Sequence, residues 1–283
     1  VIIGGVHPTF LPQETLAESG CDYVVLGEGE IALLKLLQNN FQSDSIAGVY
    51  SIKDFEDSKP VIKKGKKIEN LDDIPFPDWE QLNPNLYPKA PHGAIVKNFP
   101  VAPVITTRGC PYECTFCASP SFYDRKIRFR SPENVIQEIK YLVDQFGIRE
   151  IHFEDDNLTI RRGHIDKICE LIITTGIEIS WACPNGIRAD KVDADLISKM
   201  KESGCYYFAY GVESADQQIL SNIKKQVKIE TIEKSIDLAS KAGISCQGFF
   251  IFGLPGETEE TLNKSIHFAK RSKLARAQFL ILD

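Results

Sequence analysis

From residue 94 onward, short apolar runs alternate with longer stretches in which apolar residues recur every three or four positions. The clearest helix follows Ser131, a favoured N-cap residue, with Pro132 in its first turn. Gly147 supplies a typical C-terminal stop. Its apolar side chains form one stripe: Val135, Ile136, Ile139, Leu142, Val143 and Phe146. This pattern predicts an amphipathic helix with one buried face.

The same analysis predicts six strands, separated by further helices. The predicted strands are 101–107, 150–154, 178–183, 206–212, 246–252 and 278–282. The later helices are predicted near 164–174, 194–203, 229–242 and 257–271. Strands that alternate with helices indicate parallel βαβ units, and six of them favour a barrel or partial (β/α) barrel. In such a barrel the chemistry belongs at the carboxyl ends of the strands.

The first fifty residues have a different pattern. A predicted strand over 1–3 ends at Gly4-Gly5, and a helix over 13–19, a strand over 23–26 and a helix over 31–37 follow. This order indicates the C-terminal part of a doubly wound, Rossmann-like α/β domain. Residues 51–93 are rich in Lys, Asp and Pro, which favours a linker, with short hairpin strands near 49–52 and 61–63. We therefore expect an α/β domain over 1–50, a linker over 51–93 and the barrel over 94–283.

Composition narrows the class of protein. The 283 residues are 43% hydrophobic and 25% charged, as in ordinary globular proteins, and the net charge of −6 argues against nucleic acid as a partner. No apolar run is long enough for a membrane helix. The chain begins without Met and both ends fall in strand-like runs, so we expect a fragment of a longer protein. Single, scattered cysteines beside one dense group favour a reducing, cytoplasmic setting.

The dense group is Cys110, Cys114 and Cys117, which follow the first predicted barrel strand. Three thiolates can hold a cubane iron–sulfur cluster and leave one iron open for a substrate. Structural zinc normally needs four ligands, and a second pair of close cysteines is missing. A zinc site would therefore need a remote ligand such as His92 or His152. Cluster, zinc and chance grouping of buried thiols are the alternatives at this point.

The spacing resembles the CxxxCxΦC signature of the radical S-adenosylmethionine (SAM) superfamily, with Phe116 as the aromatic position. The resemblance implies a [4Fe–4S] cluster whose open iron chelates the amino and carboxylate groups of SAM. An electron from the cluster then cleaves SAM and yields a 5′-deoxyadenosyl radical. It also implies an external electron donor such as flavodoxin or ferredoxin. In such enzymes the cofactors perform the difficult chemistry and the protein positions them.

Further segments that resemble the family lie at the ends of the predicted strands. The resemblance implies SAM contacts at Phe116, Asp155, Asp156, Arg188, Glu213, Ser214, Phe250 and Gly253. The two aspartates would meet the SAM amino group and Arg188 its carboxylate, unless the carboxylates cap a helix and the arginine forms a surface ion pair. The Glu213-Ser214 pair would contact the ribose or methionine part. The segment with Phe250 and Gly253 would pack on adenine.

The N-terminal region is similar to the cobalamin-binding domain that precedes many such cores. Gly4-Gly5 fits the Gly-Gly turn of that domain, whose earlier Asp-x-His-x-x-Gly and Ser-x-Leu elements would lie upstream of Val1. By this mapping His7 is not the axial cobalt ligand. The resemblance implies a cobalamin site to which Gly4 and Gly5 contribute. The alternative is a domain of the same ancestry that no longer binds a corrinoid.

Together these features predict a radical SAM enzyme that modifies a small molecule, either by cobalamin-dependent C-methylation or by ring formation. The pattern resembles anaerobic Mg-protoporphyrin ester cyclases and cobalamin-dependent methyltransferases. One alternative is a methylthiotransferase that acts on tRNA or protein. Another is a zinc-stabilised scaffold without catalytic activity.

Overall fold

The computed structural model describes residues 1–56, 61–90 and 94–282, so that His92 lies outside the described residues. The chain divides into two compact units. The first unit comprises Val1–Asp73 with Ser121–Asp124, and the second comprises Ile74–Pro120 with Arg125–Asp283. The expected domain boundaries at 50 and 93 stay predictions.

The first unit contains a three-stranded sheet with helices on both faces. In chain order it consists of β1 (Ile2–Gly4), α1 (Val6–Phe10), α2 (Pro12–Ser19), β2 (Tyr23–Val25), α3 (Glu30–Gln38) and β3 (Val49–Tyr50). Strands β1 and β2 are parallel, and β3 is antiparallel to β2. Val24 packs with Leu16 of α2, whereas the next residue, Val25, packs with Leu36 of α3. Successive strand residues point to opposite faces, so both faces of this sheet are covered.

Two local predictions for this unit need correction. The predicted hairpin between 49–52 and 61–63 was wrong, because β3 pairs with β2 and 61–63 contains no strand. Gly65 instead donates its N–H to Leu26 O at 2.9 Å. Helix α1 was not predicted, since Pro8 lies within it. Pro8 is the third residue of this helix, and proline is tolerated in a first turn because its missing N–H would have no helical acceptor there.

The second unit is built on a six-stranded parallel sheet. Its strands, with a separate two-stranded ribbon of β5 and β6, are β4 (Val101–Val104), β5 (Thr107–Arg108), β6 (Arg128–Phe129), β7 (Glu150–Phe153), β8 (Ser180–Ile187), β9 (Cys205–Glu213), β10 (Ser245–Phe252) and β11 (Arg276–Ile281). The order across the sheet is β11-β10-β9-β8-β7-β4. Neighbours in this sheet are therefore consecutive along the chain, apart from the ribbon. This is the topology of successive βαβ units that the sequence predicts.

Helices connect the strands and bury their apolar stripes against the sheet. They are α5 (Pro132–Phe146), α6 (Arg162–Thr175), α7 (Ala194–Glu202), α8 (Gln217–Asn222), α9 (Ile229–Lys241) and α10 (Glu259–Arg271), and a single helical turn, α4 (Ser119–Phe122), precedes them in the chain. Helix α5 has the predicted ends: Ser131 Oγ accepts the Asn134 N–H at 3.1 Å, and Gly147 adopts φ 64°. Phe153, Trp181 and Phe208 lie fully buried in the core that these helices cover.

Part of the predicted linker packs within the second unit. Trp79 is 6% exposed, and its indole N–H donates to Glu138 Oε1 at 3.0 Å. Arg130 donates to the other carboxylate oxygen of Glu138 at 2.5 Å. Prolines around Trp79 exclude helix but do not exclude packing of an extended chain. The buried Glu138 on α5 supplies the anchor, which the sequence pattern does not reveal. Among the described residues, no helix is both long and apolar enough to cross a bilayer.

Candidate active site

The three cysteines of the motif lie in an irregular loop that follows β5 in the second unit. All three are free thiols; Cys110 and Cys114 are half-buried and Cys117 is exposed. Burial raises the pKa of Cys110 and of Cys117, and the neighbouring Asp156 and Cys114 side chains raise each further. Thiols with raised pKa values stay protonated at neutral pH until a metal competes with the proton.

The three thiols of the motif lie near one another in this loop. Besides burial, the charges of Cys114 and Cys110 both raise the pKa of Cys117. Within the described part of the chain, no three Cys, His, Asp or Glu side chains converge closely enough to bind one metal ion. In a cubane each thiolate binds a different iron, so the thiols need not converge on one point. His152, considered as a zinc ligand, instead places Nε2 2.8 Å from Glu150 Oε1.

Asp155, just beyond β7, holds the chain that leads into the cysteine loop. It is fully buried, and it accepts the Thr106 N–H at 3.1 and 3.2 Å and two hydroxyls, from Thr106 at 2.8 Å and Thr107 at 2.6 Å. Burial raises the pKa of Asp155 to about 6, although these hydrogen bonds act in the opposite direction. These contacts draw the chain away after Val104, which is why the predicted strand 101–107 ends early and β5 pairs with β6.

Asp156 acts on the cysteine loop itself. Its Oδ2 accepts the Gly109 N–H at 3.3 Å and the Ser119 hydroxyl at 3.1 Å. Gly109 directly precedes Cys110, and Ser119 lies two residues after Cys117. The carboxylate therefore joins the two ends of the loop, and its side chain remains exposed. The structure brings both predicted aspartates to the cysteine loop, with Asp155 already fully engaged by protein donors.

Glu213 ends β9 in an unusual conformation. It is 5% exposed and adopts φ 62°, in the left-handed region that non-glycine residues rarely occupy. Its Oε1 accepts the Lys225 ammonium at 2.7 Å. A Cβ on Gly211 would lie 2.4 Å from Glu213 Oε1 and 2.6 Å from Lys225 Nζ, so glycine leaves the room that this ion pair occupies. Strained residues of this kind cluster at functional sites.

Lys225 is the site residue that the sequence analysis missed. It lies in the loop between α8 and α9 and is 8% exposed. Its Nζ also lies 5.8 Å from the ring centroid of Phe116, the aromatic residue of the cysteine motif. A lysine in a polar loop gives no sequence signal, because its burial depends on a partner on another element. One signal existed: a buried glutamate at a strand end requires a cation or donor.

Arg188 follows β8 and contacts both the cysteine loop and the Lys225 loop. Its guanidinium donates to Asp190 Oδ1 at 2.9 Å, to Lys225 O at 2.9 Å and to Gln226 O at 3.0 Å. Its Cζ lies 3.6 Å from the ring centroid of Tyr112, between Cys110 and Cys114. The predicted contact of Arg188 with the SAM carboxylate stays a prediction. In the structure, the guanidinium donates to Asp190 and to the carbonyls of Lys225 and Gln226.

The remaining predicted residues of the second unit lie at the ends of β9 and β10. Ser214 is fully buried; its Oγ accepts the Asp216 N–H at 3.1 Å and lies 3.5 Å from the Ser265 hydroxyl. Phe250 stacks on Phe279 with 5.0 Å between the ring centroids and also meets Phe268 of α10. Its side chain therefore belongs to the helix-covered core, and its neighbours along β10 point to the opposite face.

Gly253 directly follows β10 and adopts φ 89°, and its N–H donates to Glu257 Oε2 at 2.5 Å. In the first unit, Gly4 ends β1 and Gly5 adopts φ 108° before α1 begins. A Cβ on Gly5 would meet no atom within 4 Å, so the space above this turn is open. Thr9 braces the turn, because its hydroxyl donates to Gly5 O at 2.6 Å and accepts the Gly27 N–H at 2.8 Å. Two turns that follow parallel strands are thereby joined.

Comparison with known proteins decides what this arrangement is. The sequence profile of the Radical SAM superfamily matches residues 104–269, which include all three motif cysteines. The chain belongs to the radical SAM superfamily. Members of this superfamily use a [4Fe–4S] cluster and SAM, so these two predicted cofactors are confirmed, as are the predicted family and an enzyme of that class. Which residues contact SAM stays a prediction.

Several named relatives are similar along nearly the whole chain. The uncharacterized methyltransferase PH0819 of Pyrococcus horikoshii is 34% identical over 99% of this chain and 60% of its own length. The cytidylyl-2-hydroxyethylphosphonate methyltransferase of Streptomyces wedmorensis is 32% identical, over 98% and 57%. The anaerobic magnesium-protoporphyrin IX monomethyl ester cyclase of Rubrivivax gelatinosus is 31% identical, over 95% and 48%. The chain thus spans about half to three fifths of these relatives.

Solved structures of radical SAM proteins share the fold. The methyltransferase TsrM of Kitasatospora setae, solved with cobalamin and a [4Fe–4S] cluster, superposes with a TM-score of 0.77 at 17% identity, over 99% of this chain and 56% of its own. The cobalamin-dependent enzyme OxsB, solved with aqua-cobalamin, gives 0.74 at 21% identity, over 98% and 40%. The predicted α/β architecture with a partial radical SAM barrel is therefore confirmed.

Proposed function

We propose that this chain carries the cluster- and SAM-binding core of a cobalamin-dependent radical SAM enzyme that methylates or cyclises a small molecule. The observation that carries the proposal is the cysteine loop: three free thiols beyond the first strand of a parallel sheet, tied together by Asp156 and anchored by Asp155. Relatives that are named as methyltransferases and ester cyclases support the two reaction types.

Cys110, Cys114 and Cys117 are proposed to bind the cluster as thiolates. When bound, the cluster supplies the electron that cleaves SAM reductively. The protein's own contribution is to hold the loop in place before the cluster arrives. The carboxylate oxygens of Asp155 accept hydrogen bonds from Thr106 and Thr107. Its proposed role is therefore to hold the chain that follows β4, and not to contact SAM. Asp156, whose side chain is exposed, remains the proposed partner of the SAM amino group.

Glu213 and Lys225 are proposed to bind polar groups of SAM. The carboxylate suits the ribose hydroxyls or the ammonium group, and the Lys225 ammonium suits the carboxylate of the methionine part. In the protein alone the two side chains satisfy each other at 2.7 Å, which avoids an unpaired buried charge. The ring of Phe116 lies beside Lys225. Gly253 offers backbone near the proposed adenine position, whereas Phe250 supports that strand from the core side.

Cobalamin binding is proposed for the first unit. The space above Gly5 is open, and a residue without a side chain lets a flat ligand lie close to the backbone. The similar structures of TsrM and OxsB were solved with cobalamin and aqua-cobalamin bound, which supports this assignment. We further propose a small-molecule substrate, a cytoplasmic setting, and an electron donor such as flavodoxin or ferredoxin. The acidic net charge of −6 does not favour a nucleic acid substrate.

Anaerobic reconstitution tests the proposal. Wild-type protein incubated with iron and sulfide should bind about four of each per chain and, with SAM and dithionite, release 5′-deoxyadenosine and methionine. The full-length protein should bind hydroxocobalamin with a shifted absorption spectrum, whereas residues 1–283 alone should bind it poorly. Stoichiometric zinc without iron or sulfide would instead support the scaffold alternative. A cluster without SAM cleavage would refute the catalytic proposal. A full-length protein that cleaves SAM but does not bind the corrinoid would refute its cobalamin part.

A further inference from the structure

The loop that carries Lys225 has a strained backbone. Lys224 adopts φ 56° and Gln226 adopts φ 52°, so two non-glycine residues on either side of Lys225 lie in the left-handed region. Such conformations persist only where surrounding contacts over-determine them. The result is a sharp double bend that directs the Lys225 ammonium to Glu213, 2.7 Å away. Some group must hold this bend in place.

The guanidinium of Arg188 is that group. It is 8% exposed, and its two terminal nitrogens donate to Lys225 O at 2.9 Å and Gln226 O at 3.0 Å, the carbonyls of the bend itself. Asp190 orients the guanidinium by accepting its Nε–H at 2.9 Å. The fork of N–H groups in arginine can bind two adjacent carbonyls at once, whereas a lysine ammonium on a flexible stem holds no such fixed geometry.

The hydrogen bonds use the edges of the guanidinium plane, and one face of the plane stacks on Tyr112 of the cysteine loop. Its Cζ lies 3.6 Å from the ring centroid of Tyr112. The two loops meet directly as well, because Thr115 donates its N–H to Ile223 O at 3.1 Å. Arg188 therefore lies between the segment that carries the thiols and the segment that carries Lys225. The hydrogen-bonded fork acts on the Lys225 segment, whereas the cysteine loop keeps its own backbone hydrogen bond through Thr115.

We propose that Arg188 is a positioning residue that acts on SAM through Lys225, by fixing the bend of residues 224–226, and does not bind the SAM carboxylate itself. This inference rests on the proposed role of Lys225 in SAM binding. If the inference is right, the effect of Arg188 on SAM affinity depends on Lys225. Once the Lys225 ammonium is removed, loss of the two Arg188 hydrogen bonds to the bend should have no further effect on SAM affinity. A direct contact between Arg188 and SAM would make the two losses independent.

A double-mutant cycle tests the inference. SAM dissociation constants are measured by equilibrium titration on the anaerobically reconstituted protein for wild type, Arg188→Lys, Lys225→Met and the double variant. We expect Arg188→Lys to weaken SAM binding about tenfold in the wild-type background and less than about twofold in the Lys225→Met background. Iron content and the cluster spectrum report separately on the cysteine loop. The control Arg162→Lys alters an arginine paired with Asp166 and Asp193 and should change neither quantity.

The outcomes separate this inference from the proposed function. Equal, multiplicative losses in both backgrounds would overturn the inference and restore direct binding by Arg188. Unchanged affinity in Arg188→Lys with weakened affinity in Lys225→Met would overturn the inference alone. Unchanged affinity in Lys225→Met would refute the proposed SAM contact. If Arg188→Lys does not fold, Asp190→Ala removes the acceptor that orients the guanidinium, and the same dependence on Lys225 must appear for the inference to stand.

Discussion

Buried carboxylates lie at both ends of the parallel strands, but they are used in opposite ways. Glu150 begins β7 and is fully buried at the amino end of the sheet. It accepts the N–H groups of Lys97 and Asn98 at 3.0 and 2.6 Å and hydroxyls of Ser180 and Tyr206 at 3.1 and 2.6 Å. Burial alone would raise the pKa of Glu150, but the hydrogen bonds from His152, Tyr206 and Asn98 hold it below the usual value.

At the carboxyl end, Asp155 lies five residues further along the same chain segment and its pKa is raised to about 6 by burial. Glu213 at this end has a strained backbone and one cation as its partner. Hydrogen bonds therefore outweigh the cost of burial for Glu150 at the amino end, whereas burial outweighs the hydrogen bonds for Asp155 at the carboxyl end. This contrast supports the proposal that the amino end serves stability and the carboxyl end binds the cofactors.

The largest expected effect concerns the thiols at the carboxyl end. Cys114→Ala removes one thiolate ligand, so the reconstituted protein should lose its cluster absorption and all SAM cleavage. Cys183→Ala is the control, since Cys183 is fully buried in the core and burial raises its pKa well above the usual value. The control should retain its iron. Full iron content in Cys114→Ala, measured by iron and sulfide analysis, would contradict the cluster assignment.

At the amino end, Glu150→Gln should destabilise the fold strongly. The introduced amide group points a donor at groups that are themselves donors, and we expect a loss of about 3 kcal/mol in the free energy of unfolding. Urea unfolding measures this loss. Glu170→Gln, at an exposed ion pair with Lys167, should leave the free energy of unfolding almost unchanged. Similar stability of the two variants would remove the contrast between the two ends.

Glu213→Gln should affect cofactor binding more than folding. Loss of the charged acceptor should weaken SAM binding by about 1.5–3 kcal/mol, which is roughly ten- to a hundredfold, with the cluster spectrum intact. Anaerobic SAM titration measures the affinity. Gly211→Ala should weaken binding in the same direction, because its Cβ collides with the Glu213–Lys225 pair, whereas a Cβ on Gly163 meets nothing within 4 Å and Gly163→Ala serves as its control. Unchanged SAM affinity in Glu213→Gln would make the pair purely structural.

The smallest effect is a difference in pH dependence. Since the pKa of Asp155 is raised from 3.8 to about 6, its stabilising contribution is complete below pH 3.8 and is lost as pH rises through about 6. The difference in unfolding free energy between wild type and Asp155→Asn should therefore fall with rising pH, by about 2 kcal/mol. For Glu150→Gln the difference should instead fall as pH decreases, because the pKa of Glu150 is lowered. The Asp155 difference changes between about pH 4 and 6, and the Glu150 difference changes below about pH 4.5. Urea unfolding at several pH values from about 3 to 7 distinguishes the two slopes, and slopes of the same sign would refute the contrast between the two ends.

Much of the fold and part of the site could be predicted from the sequence. The apolar periodicity predicts all six sheet strands and the amphipathic helices, because burial of a face requires regular spacing. The predictions fail where a local rule meets a tertiary contact. Phe250 is an example: neighbouring strand residues point to opposite faces, so its position in the motif does not say which face it occupies. Trp79 is another, since its burial depends on Glu138 of a distant helix.

What the sequence determined by itself is the class of chemistry: the spacing of Cys110, Cys114 and Cys117 and the alternation of strands and helices are local properties of the chain. Only the tertiary structure decided how each charge is used. Asp155 and Asp156 are adjacent in sequence, but one is enclosed by threonines and the other is exposed. Lys225 pairs with Glu213 because a strained loop directs it there. The energy of a charge depends on its burial and its partners, and both arise only when separate segments pack together.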